Sequence, residues 1–400
     1  MSSKIKISRT VKIPDPLRLA RYERVPELGP KILFFSGGTA LAGLSRKLVR
    51  FSHNSIHIMT PFDSGGSSAQ LRHAFAMPSV GDLRSRLMAL ADQSVKGNPD
   101  IFRLFAYRLP KDKSNAELKE RLKLMVDGKD PLIADIQYPM RKIIRTHLRV
   151  CRDMLPEAFH YRGASIGNLV LAGGYLANGR HIDPVIFLFS KLVEVRGAVR
   201  LLLNADLHLK AELSDGRTLV GQHLLTGKEV PPIGVGVRDV HLARIREDGT
   251  VEPIEIGIRP KIARLIGEAE LICYPMGSFY SSVLANLLPR GVGRAIAETD
   301  CPKVYIPNTG VDPEQYGMTV KDSVDALLKY LRRDCGGPVP TEKLLNIVLL
   351  DAQNGAYPHG IDIEGLCGSD VQIVDTALTA EADSRFLDSN LLISALLSLI

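Results

Sequence analysis

The chain has 400 residues, 45% of them hydrophobic and 24% charged, which is ordinary usage for a folded protein with one large core or two modest ones. No apolar run approaches the roughly 20 residues of a membrane helix, and residues 1–30 lack the apolar stretch of a secretory signal, so a cytoplasmic protein is expected. Part of the +7 net charge lies in that arm and in 140–154, which reads as a solvated helix face or as attraction to a small anion; with no nucleic-acid motif beside it, nucleic-acid binding is disfavoured.

Residues 1–30, with prolines at 14, 16, 26 and 30, are expected to form an arm ahead of a domain over 31–400. The run KILFF (31–35) predicts a buried parallel strand and SIHIMT (55–60) a second, joined through a helix over 42–50 as a right-handed βαβ unit. Residues 81–160 carry no strand signal. Asp82, Asn98, Ser114 and Asp130 each stand where they would cap a helix, so a helical block against one side or end of the sheet is expected. Residues 163–179 read as a polar loop feeding a helix. Over 200–256, alternation around Asp215-Gly216 and Asp248-Gly249 predicts two hairpins and hence a small β-rich insert. The α/β rhythm then returns: helix, strand, polar loop and helix over 263–288, strand and loop over 303–310, and a helix over 321–333. A strand and loop over 344–355, a last strand in 371–378 and an apolar helix over 390–400 complete it. Repeated units of this kind imply a Rossmann-like, doubly wound, mainly parallel α/β sheet.

Open α/β sheets bind ligands beyond the carboxyl ends of their strands, so the loops there hold the candidates. In Ser36-Gly37-Gly38-Thr39 the glycines would let backbone approach a phosphate, although a turn packing helix on strand needs the same residues. Neither GxxxxGK[ST] nor GxGxxG is present. After the second strand, Asp63 is followed by Ser64, Gly65, Gly66, Ser67 and Ser68. A carboxylate beside such a nest can hold Mg²⁺ with a substrate phosphate, hold a sugar hydroxyl or orient an attacking group. Asp82 opens a helix whose first turns carry Arg84 and Arg86, cations at the end that favours anions. Weaker signals are Ser165 to Asn168, the loop with Gly277, Ser278, Ser281 and Ser282, and Asn308. Five scattered cysteines without CxxC spacing argue against a disulfide framework or structural zinc, and the absence of HExxH disfavours a zinc hydrolase.

Taken in order, these loops resemble the 2-phospho-L-lactate transferase (CofD) superfamily, and most closely its bacterial gluconeogenesis-factor (YvcK-like) branch. SGGT resembles the family's GGTG element, and FDSGGSSAQLR its DDGGSSGxLR. GDLRSRLMALAD resembles GDIRxxLxALAD, GASIGNLVLA resembles GHSxGNLxLA, and YPMGSFYSSVLANLL resembles GPGSLYTSxxPNLL. The resemblance implies a nucleotide-diphosphate-linked ligand of GDP or UDP type, Mg²⁺ at Asp63, Asp63 as the catalytic carboxylate, and a homodimer. It implies either transfer of a phospholactyl or related phosphoryl group to an alcohol, or binding of a UDP-sugar by a non-catalytic regulator of carbon metabolism or envelope synthesis. The matching ligand contacts are Gly37, Gly38, Thr39, Ser64, Gly65, Gly66, Ser67, Ser68, Asp82, Arg84, Ser165, Asn168, Gly277, Ser278, Ser282 and Asn308. This chain departs at Ala40 for glycine, at Phe62 for the first aspartate of the pair, and at Pro275-Met276-Gly277 for Gly-Pro-Gly. A left-handed backbone at Ala40 would cost about 1 kcal/mol, and the loss at position 62 removes one expected metal carboxylate.

Overall fold

The computed structural model describes residues 10–94, 97–227, 230–381 and 384–400; the first nine residues of the expected arm lie outside this set. Seven parallel strands form the central sheet: β1 (Ile32–Ser36), β2 (Ile56–Met59), β3 (Ala198–Leu201), β8 (Leu271–Tyr274), β9 (Lys303–Tyr305), β10 (Ile347–Leu350) and β11 (Gln372–Asp375). Their spatial order is β11-β10-β9-β8-β1-β2-β3. Strand β1 is buried at every position because helices cover both faces, which is why it reads as an unbroken apolar run. Its side chains alternate between two cores. Leu33 and Phe35 pack into one, and Ile32 and Phe34 into the other.

The first crossover is α2 (Ala42–Leu48). Between β2 and β3 the chain forms α3 (Gly66–Phe75), α4 (Gly81–Ala89), α5 (Pro99–Ala106), α6 (Asn115–Asp127), α7 (Pro131–Ala134), α8 (Met140–Met154), α9 (Ile166–Ala177) and α10 (Ile182–Leu192). These helices share a core with the β3 side of the sheet through Met59, Val199 and Leu201. Ser114 caps α6 in a reciprocal capping box with Glu117. Asp130 caps only α7, and α8 begins anew after Pro139, whose missing N–H cannot continue a helix; a single helix was expected there. Asp82 does not cap α4: Val80 holds that position, and Asp82 stands inside the first turn.

The insert is a separate antiparallel sheet of β4 (His208–Leu213), β5 (Thr218–Val220), β6 (Val237–Ile245) and β7 (Val251–Pro253), in the order β5-β4-β6-β7. Its two hairpins turn at Asp215-Gly216 and Asp248-Gly249, as the alternation predicts. Helices α11 (Pro260–Gly267), α12 (Val292–Ala297), α13 (Val320–Arg333), α14 (Ile363–Cys367) and α15 (Ser389–Ser398) complete the layers. Regular structure begins before Lys31, because α1 (Pro16–Arg24) docks on the C-terminal helix. Asp15 caps α1 and its N–H donates to Ser398 Oγ at 2.8 Å, while Arg18 reaches the Ser398 carbonyl at 3.0 Å. Among the described residues no helix is long and apolar enough to cross a membrane, and all five cysteines are free.

Candidate functional site

Strands β2 and β3 extend the sheet on one side of β1, and β8 to β11 extend it on the other. The winding therefore reverses between β1 and β8, and the loops leaving their carboxyl ends part to leave a crevice. A cavity of about 310 Å³ occupies it. Gly37, Gly38 and Thr39 line it after β1, Asp63 and Gly65 to Ser68 after β2, Asp82 and Arg84 from α4, Asn168 from α9, and Gly277, Ser278 and Ser282 after β8. Residues up to 245 positions apart in sequence, Gly37 and Ser282, thus share one wall.

The glycine loop is held from beneath by Arg86, which is fully buried. Its guanidinium donates to the carbonyls of Gly37 at 2.9 Å and Gly38 at 3.3 Å, and also to Ser45 Oγ. Burial lowers its pKa to about 10 against the opposing pull of Asp82, so it stays charged at neutral pH. Gly38 allows Asp82 to come in close: a Cβ there would stand 2.2 Å from Asp82 Oδ1 and 2.8 Å from its Cγ. Gly81 does the same for the second loop, where a Cβ would stand 2.2 Å from Ser68 Oγ and 2.9 Å from Asp63 Oδ2. Ala40 is not left-handed, so the strain expected of alanine does not arise.

After β2, neighbouring residues point opposite ways. Phe62 is fully buried in the core, and Asp63 lines the cavity. Position 62 therefore serves packing in this chain, and the second cavity carboxylate comes from Asp82. Asp63 Oδ1 accepts the Gly65 N–H at 3.1 Å. Buried Arg72 fixes the loop by donating to the carbonyls of Phe62 and Asp63 at 3.1 and 3.3 Å, and it pairs with Asp206 at 2.6 Å. Helices α3 and α4 both begin at the cavity, and neither has a side-chain cap bond. Their positive ends face the space between them.

One wall is cationic. Arg84 donates only to the Phe105 carbonyl at 3.3 Å and Ser85 Oγ at 3.4 Å, and its buried Nε has no partner. No described carboxylate lies within ion-pair distance of it. Burial, and then neighbouring Arg108, lower its pKa to about 10. Arg108 lines the same wall, and Asn168 donates to Ser67 Oγ at 3.2 Å while its own buried Oδ1 is unpartnered.

The loop after β8 is braced from behind. Asn308 bonds Gly277 N and O, each at 2.8 Å, and Asp312 accepts the Phe279 N–H at 2.8 Å. Glu314, fully buried, accepts the N–H groups of Tyr280 and Ser281 at 2.7 and 2.8 Å and the Ser281 hydroxyl at 2.5 Å. Burial, and then the Asp312 carboxylate, raise the Glu314 pKa to about 8, against the pull of those donors. With its folded pKa above the ordinary 4.5, stability from this group is lost as pH rises from about 4.5 to about 8. Glu314→Gln, neutral throughout, should therefore gain melting temperature relative to wild type across that window and gain no more above it, as calorimetric melts from about pH 5 to about pH 9 will show.

Three expected contacts do not line the cavity. Asn308 is spent on the Gly277 brace, Ser165 is the buried N-cap of α9, and Ser64 turns toward His223. Conversely, Arg108, Gln222, His223 and Thr226 line it without having been singled out, and Met276, one of the departures from the family pattern, lines it too. The insert residues carry no local signal, because only the folding of the small sheet back over the β2 loop brings them there. The donors available for a cation are Asp63 and Asp82; no group of three or more His, Cys, Asp or Glu among the described residues could hold one alone. That set suits Mg²⁺ shared with a ligand phosphate, the usual manner in which this ion is bound.

A family model described as 2-phospho-L-lactate transferase CofD matches residues 32–379. The chain is 28% identical over 385 residues to the gluconeogenesis factor of Bacillus subtilis (strain 168), covering 93% of this chain and 98% of that protein. It is 30% identical over 308 residues to a putative gluconeogenesis factor of Nostoc sp., covering 75% of this chain and 52% of that one. A crystal structure of a UPF0052 family member from Bacillus halodurans shares the fold, with a TM-score of 0.66 at 24% identity over 92% of this chain and 99% of the other.

Proposed function

Because this chain belongs to the 2-phospho-L-lactate transferase CofD family, we propose that it binds a nucleoside-diphosphate-linked small molecule in the switch-point cavity and transfers a phosphorus-containing group to an alcohol. Arg84 is the observation that carries this reading. A guanidinium drawn largely out of water, beside a second one and without a carboxylate, is stabilised when an anion joins it. The open ends of α3 and α4 add backbone donors and dipole on the same side. Asp63 and Asp82 would hold Mg²⁺ with the donor phosphates, and that ion would supply charge neutralisation for the transferring phosphoryl oxygens. Gly37 to Thr39 and Ser67 would position the diphosphate, and Asp63 would orient the acceptor hydroxyl. The acceptor oxygen forms its bond to phosphorus as the bond to the departing nucleotide phosphate breaks. Rate acceleration comes from positioning and charge stabilisation.

Asp63→Asn is expected to retain nucleotide binding within a few-fold and to lose product formation by at least about a hundredfold, measured by calorimetry beside a coupled assay of nucleotide release. A second reading, a nucleotide-sugar-binding regulator without turnover, is favoured by the names of the relatives, which are gluconeogenesis factors. It replaces the first if wild type binds a UDP-sugar and forms no product with any donor and acceptor pair.

A further inference from the structure

A second cavity lies away from the switch point, where the small sheet meets α12 and the end of α13. It holds about 900 Å³, within the usual size of small-molecule sites. Val240 and Leu242 of β6, with Leu287 and Tyr330, form its buried lining, and half-buried Ile254 and Leu288 extend it. The space exists because β7 is short. It pairs only with Ala243 to Ile245 of β6, after which the chain makes one more bond, from the Ile254 N–H to the Leu242 carbonyl, and crosses to bridge Gly257 with Arg290. The Val240 N–H, which a longer β7 would have taken, donates to the Tyr330 hydroxyl at 2.9 Å. That donor is therefore satisfied without a further strand.

The rim of this groove is cationic, with Arg290, Arg294 and Arg333. Two of the three are committed. Arg333 donates to both oxygens of Asp239 at 2.9 Å and lies 4.7 Å from the centre of the Tyr330 ring. Arg290 has Glu255 at 3.5 Å, an exposed pair. Asp334 is turned to the start of α12, where it accepts the N–H groups of Gly291 and Arg294 at 2.7 and 3.2 Å. Among the described residues no carboxylate lies within ion-pair distance of the Arg294 guanidinium, which stands at the edge of the apolar lining.

A ligand that matches this pattern has a hydrocarbon body and one negative charge. A single free guanidinium suits one carboxylate, which it can hold through two parallel hydrogen bonds. A doubly charged phosphate would meet Glu255 and Asp334 as well. We propose that this groove is a second binding site, for a small monocarboxylate with a hydrocarbon body, in which Arg294 takes the carboxylate and Val240, Leu242, Ile254 and Leu287 take the body. The inference does not rest on the nucleotide reading. Val283 lines the switch-point cavity and Leu287 the groove, so one short segment carries a wall of each and keeps the two spaces apart.

The probes are octanoate, octanol and octylammonium, titrated calorimetrically into wild type, Arg294→Glu and Ile254→Trp, with melting temperatures as the check on folding. Wild type should bind one octanoate per chain, at least about tenfold tighter than the alcohol or the cation. Arg294→Glu alters an exposed residue; it should weaken octanoate at least about tenfold and leave octanol within about twofold. Ile254→Trp fills the groove and should weaken both at least about tenfold. The proposal is overturned if wild type takes up no octanoate, if it prefers octanol or octylammonium, or if Arg294→Glu leaves octanoate unchanged. Self-association of wild type that Ile254→Trp abolishes, with octanoate unbound, would make the groove an interface between copies of this chain and overturn it too.

Discussion

Arg86→Met should destabilise the protein by roughly 3–5 kcal/mol and abolish nucleotide binding. The side chain is fully buried, and its loss would leave the Gly37 and Gly38 carbonyls and Ser45 Oγ without their donor. Methionine fills similar volume, so the cost is chiefly the orphaned acceptors, each about 1–3 kcal/mol. Asp82, whose charge opposes the loss of the guanidinium proton, would also lose its cationic neighbour. Denaturant melts should show a lower midpoint with an unchanged slope, the mark of altered stability and not of an altered unfolded state. An unchanged midpoint would mean that the glycine loop does not depend on Arg86.

Gly38→Ala separates the site from the scaffold. Gly38 carries no positive φ, so alanine brings no backbone strain, and only the approach of Asp82 is at stake. An added Cβ at 2.2 Å from Asp82 Oδ1 and 2.8 Å from Cγ forces that carboxylate to leave its place. Overpacking of this kind costs about 1–3 kcal/mol of stability, which a domain of this size tolerates. The effect on ligand should be far larger: at least about a hundredfold weaker binding of nucleoside diphosphate with Mg²⁺, since both the proposed Mg²⁺ ligand Asp82 and the loop beside it move.

The strands buried on both faces were readable as apolar runs. Strand β3 was not, because its half-buried edge pattern gives neither an apolar run nor a hairpin signal. Helix α1 also escaped notice, since it buries no residue fully and owes its place to the far end of the chain. Glycine and serine loops marked the switch point, since close backbone approach leaves a compositional trace. The helix pattern alone did not say which arginine of α4 faces the cavity, whereas the family resemblance picked out Arg84. Arg84 and Arg86 are two positions apart on a helix, so one lines the cavity while the other lies buried beneath the glycine loop. Phe62 looked like a lost carboxylate because nothing local shows that this position of the loop after β2 turns into the core. The contribution of His223 depends on a contact across 159 residues, which no local pattern encodes.

The central claim is that the switch-point cavity holds a nucleoside diphosphate. Calorimetric titration of GDP and of UDP, with and without Mg²⁺, into wild type beside Gly38→Ala tests it most directly. The account predicts one site per chain for at least one of the two nucleotides, tightened by Mg²⁺ and lost in the variant. Absence of binding to wild type, or binding that Gly38→Ala leaves unchanged, would contradict it.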